Sequence, residues 1–357
     1  MNFFQDLLHR VIQRLNQNNK RLEAALAGVQ QKSNLSLEVI IQQVEATILS
    51  KINEPVNLTT EYKYLGGANN FGFLCHELSL SPKNSKVIHN RYVTKFALTT
   101  VLKRERFFLQ WHQNQIKPKK QFAPAWITGG DLEASTLSFM VMECLMPIKA
   151  PSFQQVSELF HRCQQGRKIF QLSDSVPVLE PGSRIRDVLV NVVCQFDSPN
   201  ATQFLKTYFL ERKQNLPGFQ EKIVWIQAAL NTLRQEIGGI THEVLGFVHG
   251  DFKASNMMGS SDGDLKLIDF QYWCYGIRIW DIAFFLSKQK KRFEKTGLVF
   301  IALLELSSKE KNLLIFSYII AILLHPKLKQ FNWQFKHQIV PALTMLNNEK
   351  ITWRGSI

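Results

Sequence analysis

From Phe247 to Phe270 the chain reads FVHGDFKASNMMGSSDGDLKLIDF, and no other stretch limits so tightly what it can fold into. Apolar Phe247-Val248 gives way to His249, Asp251, Lys253 and Asn256. Met257-Met258 is apolar again, GSSDGD follows, and Leu265 to Ile268 leads to Asp269. Glycine and aspartate supply the backbone conformations of a tight reversal, so the short apolar runs on either side predict two paired strands. Pairing puts Asn256, just before the first strand, beside Asp269, just after the second. Asp251 and Lys253 then lie in the loop leading into the hairpin. Polar groups gathered this way need partners or a ligand, because isolating them from water is costly.

The rest of the chain divides by pattern. At 357 residues, 45% apolar and with 26 Phe, it is long enough for two lobes with a substantial core. Phe3, Phe4, Leu7, Leu8, Val11, Ile12 and Leu15 recur at helical spacing, and a second helix is expected from an N-cap at Ser36 through LEVIIQQVEATILSKI. Such helices ordinarily pack on the domain that follows. From Glu61 the pattern is one of strands. YKYLGGANNFGFLCHELSL reads as a hairpin around a glycine turn from Gly66-Gly67 to Gly72, SPKNSK as a second turn and RYVTKFAL as a third strand. TTVLKRERFFLQWHQNQ has helical periodicity, and FAPAWITGGDLEASTLSFMVMECL gives two more strands. After Met146-Pro147 helices are expected near 153–165, 183–196, 200–214 and 218–237. Beyond the hairpin they are expected near 281–293, 297–306, 310–325 and 332–346. The class is α+β, with a helical extension over 1–55, a small antiparallel sheet lobe over 56–146 and a larger helical lobe over 147–357.

Composition narrows the partners. With 43 Lys+Arg against 29 Asp+Glu the net charge is +14, which favours anionic partners. The basic residues are spread along the chain without an aromatic-basic motif, so no specific nucleic acid is expected, only weak salt-sensitive retention. Cys75, Cys144, Cys163, Cys194 and Cys274 are odd in number and lack metal-like spacing, which fits a reducing, cytoplasmic setting. No signal peptide is expected at the N-terminus. The apolar run Leu313 to Leu324 is too short for a membrane span and reads as a buried helix. Membrane contact is confined to a peripheral role for the amphipathic N-terminal helix.

The hairpin motifs match the needs of phosphoryl transfer from ATP. That chemistry asks for Mg²⁺ on the phosphates, a carboxylate to orient the attacking hydroxyl and take its proton, and positive charge near the transferred group. Asp251 supplies the carboxylate and Lys253 the charge, while Asn256 and Asp269 are the metal ligands.

His249-Gly250-Asp251, Asn256 and Ile268-Asp269-Phe270, followed by Trp280-Asp281-Ile282-Ala283, resemble the motifs of the protein-kinase-like phosphotransferases. They are most similar to the small-molecule branch: aminoglycoside phosphotransferases, choline/ethanolamine kinases and ecdysteroid-kinase-like proteins. The resemblance covers roughly residues 60–290 and implies a bilobal fold with ATP and Mg²⁺ as cofactors. It implies that Lys95 in VTKFAL holds the nucleotide phosphates and that Glu105 in KRERFFL pairs with it. It further implies that Gly67 and Gly72 cover the phosphates and that backbone groups of Glu143, Cys144 and Leu145 receive adenine. His249 and Asp281 are expected to brace the loop. Trp273, Tyr275 and Trp280 are read as core, with a place in the acceptor pocket as the alternative.

Gly250 stands where a protein kinase carries the arginine that reads a phosphorylated activation loop, and Asp269 and Asp281 are too close for a long activation segment. The expected acceptor is therefore a small-molecule hydroxyl. The basic chain favours a neutral or anionic alcohol, sugar or lipid-like compound over an aminoglycoside- or choline-type cation. A catalytically silent nucleotide-binding module is the alternative.

Overall fold

The computed structural model describes residues 36–51, 56–63, 72–80, 88–132, 135–165, 183–324 and 328–346. The expected helix at Phe3–Leu15 and most of the glycine turn, Gly67 included, lie outside these residues. The chain forms two compact units, the first ending at Leu145 and the second beginning at Met146.

In the first unit, helix α1 (Leu37–Leu49) starts where the Ser36 hydroxyl accepts the Val39 N–H at 3.3 Å. The order is then β1 (Val56–Lys63), β2 (Gly72–Leu80), β3 (Ile88–Leu98), α2 (Thr99–Gln115), β4 (Trp126–Asp131) and β5 (Leu137–Glu143). The strands make one antiparallel sheet in the order β1-β2-β3-β5-β4. Ile40, Val44 and Ile48 fall on one face of α1 and are buried against Phe96, Leu137, Phe139 and Val141. The second expected helix therefore packs on the sheet that follows it. A polar chain stitches the same layers together. Glu45 of α1 accepts from the Thr60 hydroxyl, Thr60 lies 2.9 Å from His76 Nδ1, and His76 Nε2 lies 2.6 Å from the Thr94 hydroxyl.

The second unit begins with β6 (Met146–Pro147) and α3 (Phe153–Gln164). Then come α4 (Arg184–Val188), α5 (Pro199–Asn215) and α6 (Gln220–Ile237). The motif region supplies β7 (Leu245–Val248), β8 (Met257–Gly259), β9 (Leu265–Leu267) and β10 (Cys274–Ile277). Helices α7 (Trp280–Lys288), α8 (Phe293–Leu303), α9 (Ser308–Leu323), α10 (Leu328–Gln334) and α11 (Val340–Thr344) complete it. β7 pairs with β10, and β6, β8 and β9 form a three-stranded sheet. A capping box of Ser307 and Glu310 opens α9, which is buried from Leu313 to Leu323 as its apolar run predicts. Among the described residues no helix is long and apolar enough to cross a membrane.

Two expected helices are interrupted. The one near 183–196 passes into a wide turn at Leu189–Val193, where the Cys194 N–H reaches the Leu189 carbonyl. The one near 332–346 widens at Phe335–Ile339 just before Pro341, whose ring has no N–H to give and crowds the preceding turn.

Candidate active site

The loop after β7 is held from below by one carboxylate. Asp281, in the first turn of α7 and fully buried, accepts the His249 N–H at 2.8 Å and the Gly250 N–H at 3.0 Å. Burial pushes its pKa up to about 7, while the two N–H bonds pull it down and Asp251 pushes it up. Trp280, beside it, gives its indole N–H to the Gly250 carbonyl at 3.4 Å. Gly250 itself has φ +86°, and a Cβ there would come within 2.8 Å of Leu189 and of Tyr272. Only glycine fits both the conformation and the space.

His249 is buried and its charged form is disfavoured by desolvation, against the pull of Asp251 and Asp269. Its Nδ1 accepts the Asp251 N–H at 3.3 Å, so Nε2 carries the ring proton and donates to the Ile268 carbonyl at 3.0 Å. Both ring nitrogens are thus spent on backbone. His249 ties the Asp251 loop to the strand ahead of Asp269.

Asp251 is buried, and its Oδ2 is gripped twice. Asn256 Nδ2 donates to it at 3.1 Å and to the Asp251 carbonyl at 2.9 Å, and Lys253 Nζ forms an ion pair with the same oxygen. Oδ1 takes part in neither contact. The same geometry orients Asn256: with Nδ2 spent on Asp251, Oδ1 is the branch left for a cation. β8 and β9 pair in antiparallel register, and the Ile268 N–H bonds the Asn256 carbonyl at 3.0 Å, so Asn256 lies opposite Ile268 at the hairpin's open end and Asp269 is the next residue. Asp269 takes a left-handed conformation, φ 69° and ψ 59°, uncommon outside glycine and asparagine. One amide oxygen and one carboxylate are hard donors suited to Mg²⁺, which takes few protein ligands and completes its shell from phosphate and water. Among the described residues no group of three or more His, Cys, Asp or Glu could hold a metal ion.

In the first unit, Lys95 Nζ meets Glu105 Oε2 at 2.7 Å, with side chains 4% and 1% exposed. The pair joins β3 to α2, and the register seats Lys95 between Phe73 and Met140. At the end of β5 the expected adenine contacts narrow. The Glu143 N–H bonds the Ala125 carbonyl at 2.9 Å and the Cys144 N–H bonds the Arg91 carbonyl at 3.0 Å, because the sheet ladder runs one residue past the strand. Of the three hinge N–H groups only that of Leu145 lies beyond the ladder. Gly72 starts β2.

Sequence reasoning missed several residues that hold the loop. Gln164 of α3 donates to the Phe247 carbonyl at 2.9 Å, and Arg162 donates to the Leu265 carbonyl. The helical turn carried no sign of either, since each acts across more than eighty residues of chain. Lys288 was also missed, although its spacing of two helical turns from Asp281 puts it on the same face of α7. Trp273 and Trp280 are core residues, 3% and 1% exposed, as their density suggested.

Residues 179–321 match the family model of choline/ethanolamine kinases, a segment that contains Asp251, Lys253, Asn256, Asp269 and Asp281. No curated protein sequence matches the chain. Several solved structures are similar to it. A thermostable mutant of an aminoglycoside phosphotransferase in its apo form is 11% identical with a TM-score of 0.48, over 85% of this chain and 97% of that one. Spectinomycin phosphotransferase in complex with ADP and spectinomycin is 12% identical with a TM-score of 0.45, over 88% and 96%. Choline kinase from Streptococcus pneumoniae is 14% identical with a TM-score of 0.42, over 87% and 99%. The family match falls on the motif-bearing unit. With the sheet-rich first unit and helical second unit, it agrees with the resemblance to protein-kinase-like small-molecule kinases read from the motifs.

Proposed function

We propose that the protein transfers the γ-phosphoryl group of ATP to a hydroxyl of a small molecule, a neutral or anionic alcohol. The observation that carries this reading is the double grip of Asn256 and Lys253 on one oxygen of Asp251, with Asp269 next to Ile268, the residue opposite Asn256 in the hairpin. Asp251 Oδ1 receives the acceptor hydroxyl and takes its proton as the oxygen bonds to the γ-phosphorus. The bond from that phosphorus to the β–γ bridging oxygen breaks, and ADP leaves. Lys253 fixes Asp251 before the reaction and offers positive charge to the transferred group during it. Asn256 Oδ1 and Asp269 would hold Mg²⁺, which would supply neutralisation of the phosphate charge. Lys95, fixed by Glu105, takes the nucleotide phosphates. The N–H of Leu145 is the hinge donor for adenine. The choline/ethanolamine kinase match over the catalytic segment supports the same reaction class.

Calorimetric titration of Mg·ATP into wild type, Asp269→Asn and Asp251→Asn tests the reading. Micromolar-range binding is expected in wild type and Asp251→Asn, with a large loss in Asp269→Asn. Asp251→Asn should lose acceptor-dependent ADP release by roughly 10³-fold or more. No nucleotide binding by wild type, or full activity in Asp251→Asn, would overturn it.

A further inference from the structure

Helix α7 runs from the catalytic loop to a second, unassigned feature. Its first turn grips His249 and Gly250 through Asp281, its middle packs Phe285 against Phe252 of the loop, and its last residue is Lys288. Lys288 is an exposed residue whose Nζ lies 4.4 Å from the centre of the Phe284 ring. Desolvation lowers its pKa, while Asp251 raises it and Lys253 lowers it; the Phe285–Phe252 contact one turn back sets this end of α7 beside the loop that carries Asp251. Beyond Lys288 opens a hollow of about 450 Å³, bounded by the end of α7, by α9, by α10 and by the wide turn after α10. That is the size of a site for a small metabolite.

The chemistry of the lining is one-sided. Lys288, Lys290 and Lys329 line it, and among the described residues no aspartate or glutamate does. Gln338, 1% exposed, gives its Nε2 to the carbonyls of Gln289 at 3.0 Å and Lys291 at 3.2 Å. Those two acceptors fix which end of the amide is oxygen, and that buried Oε1 has no partner among the described residues. Gln334 Oε1, in the same lining, is also buried without one. A buried carbonyl without a donor is costly, so two beside one hollow would be satisfied by turning toward a ligand rich in hydroxyl donors. Trp333, 41% exposed, offers a flat apolar face of the kind that sugar rings stack on. Three ammonium groups without a carboxylate repel a cation and attract an anion.

We infer that this hollow is the acceptor subsite and that it takes an anionic polyol, a polyhydroxylated small molecule bearing a carboxylate or phosphate. The inference rests on the phosphotransferase reading and narrows its acceptor. The lysines hold the acid group, the two glutamine carbonyls and Trp333 hold the polyol, and a hydroxyl extends past Lys288 to Asp251.

The test is a matched panel: gluconate and glucose 6-phosphate against glucose, glycerol 3-phosphate against glycerol, with choline and kanamycin as cations. Each is measured by calorimetry and by ADP release with Mg·ATP, on wild type and on Lys288→Gln/Lys329→Gln. Circular dichroism confirms that the surface variant folds. At least one charged member should bind tenfold or more tightly than its uncharged parent, drive ADP release, and lose about tenfold in binding in the variant. Equal binding of charged and uncharged partners, or no binding by any member, overturns the inference. So does ADP release driven by choline or kanamycin, or binding of an anionic polyol without ADP release. Mg·ATP binding measured in parallel separates the two readings: if it persists, the acceptor assignment alone has failed.

Discussion

At the scale of single residues, the site depends on groups whose second function is to hold a neighbour. Lys95 and Glu105 illustrate the cost of removing one. Both are almost fully buried and face each other at 2.7 Å. Glu105→Gln leaves a lysine charge inside the sheet unit without its carboxylate, and loss of one member of a buried pair costs on the order of 3–5 kcal/mol. The expected outcome is a fall in the denaturation midpoint together with a raised KM for ATP, read by chemical denaturation and initial rates. An unchanged midpoint would mean that the pair is not what keeps Lys95 in place. Gly250→Ala tests a different constraint. The left-handed backbone and the contacts at 2.8 Å leave a methyl group no room, so the loop must shift. Activity should fall at least tenfold with nucleotide affinity little changed, because the displaced group is Asp251.

At the scale of elements, α1 and the first three strands are joined through the chain Glu45, Thr60, His76 and Thr94. Burial holds the His76 pKa down at about 4 from its ordinary 6.5. The unfolded chain therefore binds a proton below 6.5 that the folded chain refuses until about 4. This contribution to stability is complete above 6.5 and is lost as pH falls through that window. Its size is of order 1–3 kcal/mol. Thermal melts between pH 7.5 and 4.5 should show wild type losing more stability than His76→Gln. Parallel curves would remove His76 as the acid-sensitive group. The same scale explains the hairpin. β8 and β9 are only three residues each, and their strength lies in what surrounds them: β6 on one side, Arg162 on the Leu265 carbonyl, and the His249 bond to Ile268.

At the scale of the whole molecule, the net charge of +14 and the proposed nucleotide site make one joint prediction. Mg·ATP at about a hundred times its Kd should stabilise the protein by roughly 2.7 kcal/mol, a shift of several degrees in melting temperature. Retention of non-specific DNA in a gel shift should vanish as salt rises from 50 to 200 mM, since only scattered phosphate contacts hold it. Nucleotide stabilisation that disappears with the same modest salt, or DNA binding that survives it, would reverse the ranking of the two kinds of partner.

What the sequence determined by itself is local and periodic. GSSDGD between two apolar runs dictates a hairpin, and the N-cap at Ser36 with the pattern LEVIIQQVEATILSKI dictates a helix. These follow from the conformations that residue types allow and from the cost of burying what is polar. Tertiary structure decided the rest: that Gln164 and Arg162 reach back to the motif strands, that the sheet ladder takes up the Glu143 and Cys144 N–H groups, and that Pro341 widens a helix whose Gln338 then carries a carbonyl without a donor. Each depends on which distant backbone groups come within hydrogen-bond reach, and no periodicity records that. The lysines and glutamines of the proposed acceptor hollow come from 287–290 and 329–338, and only the packing of those helices brings them to one place.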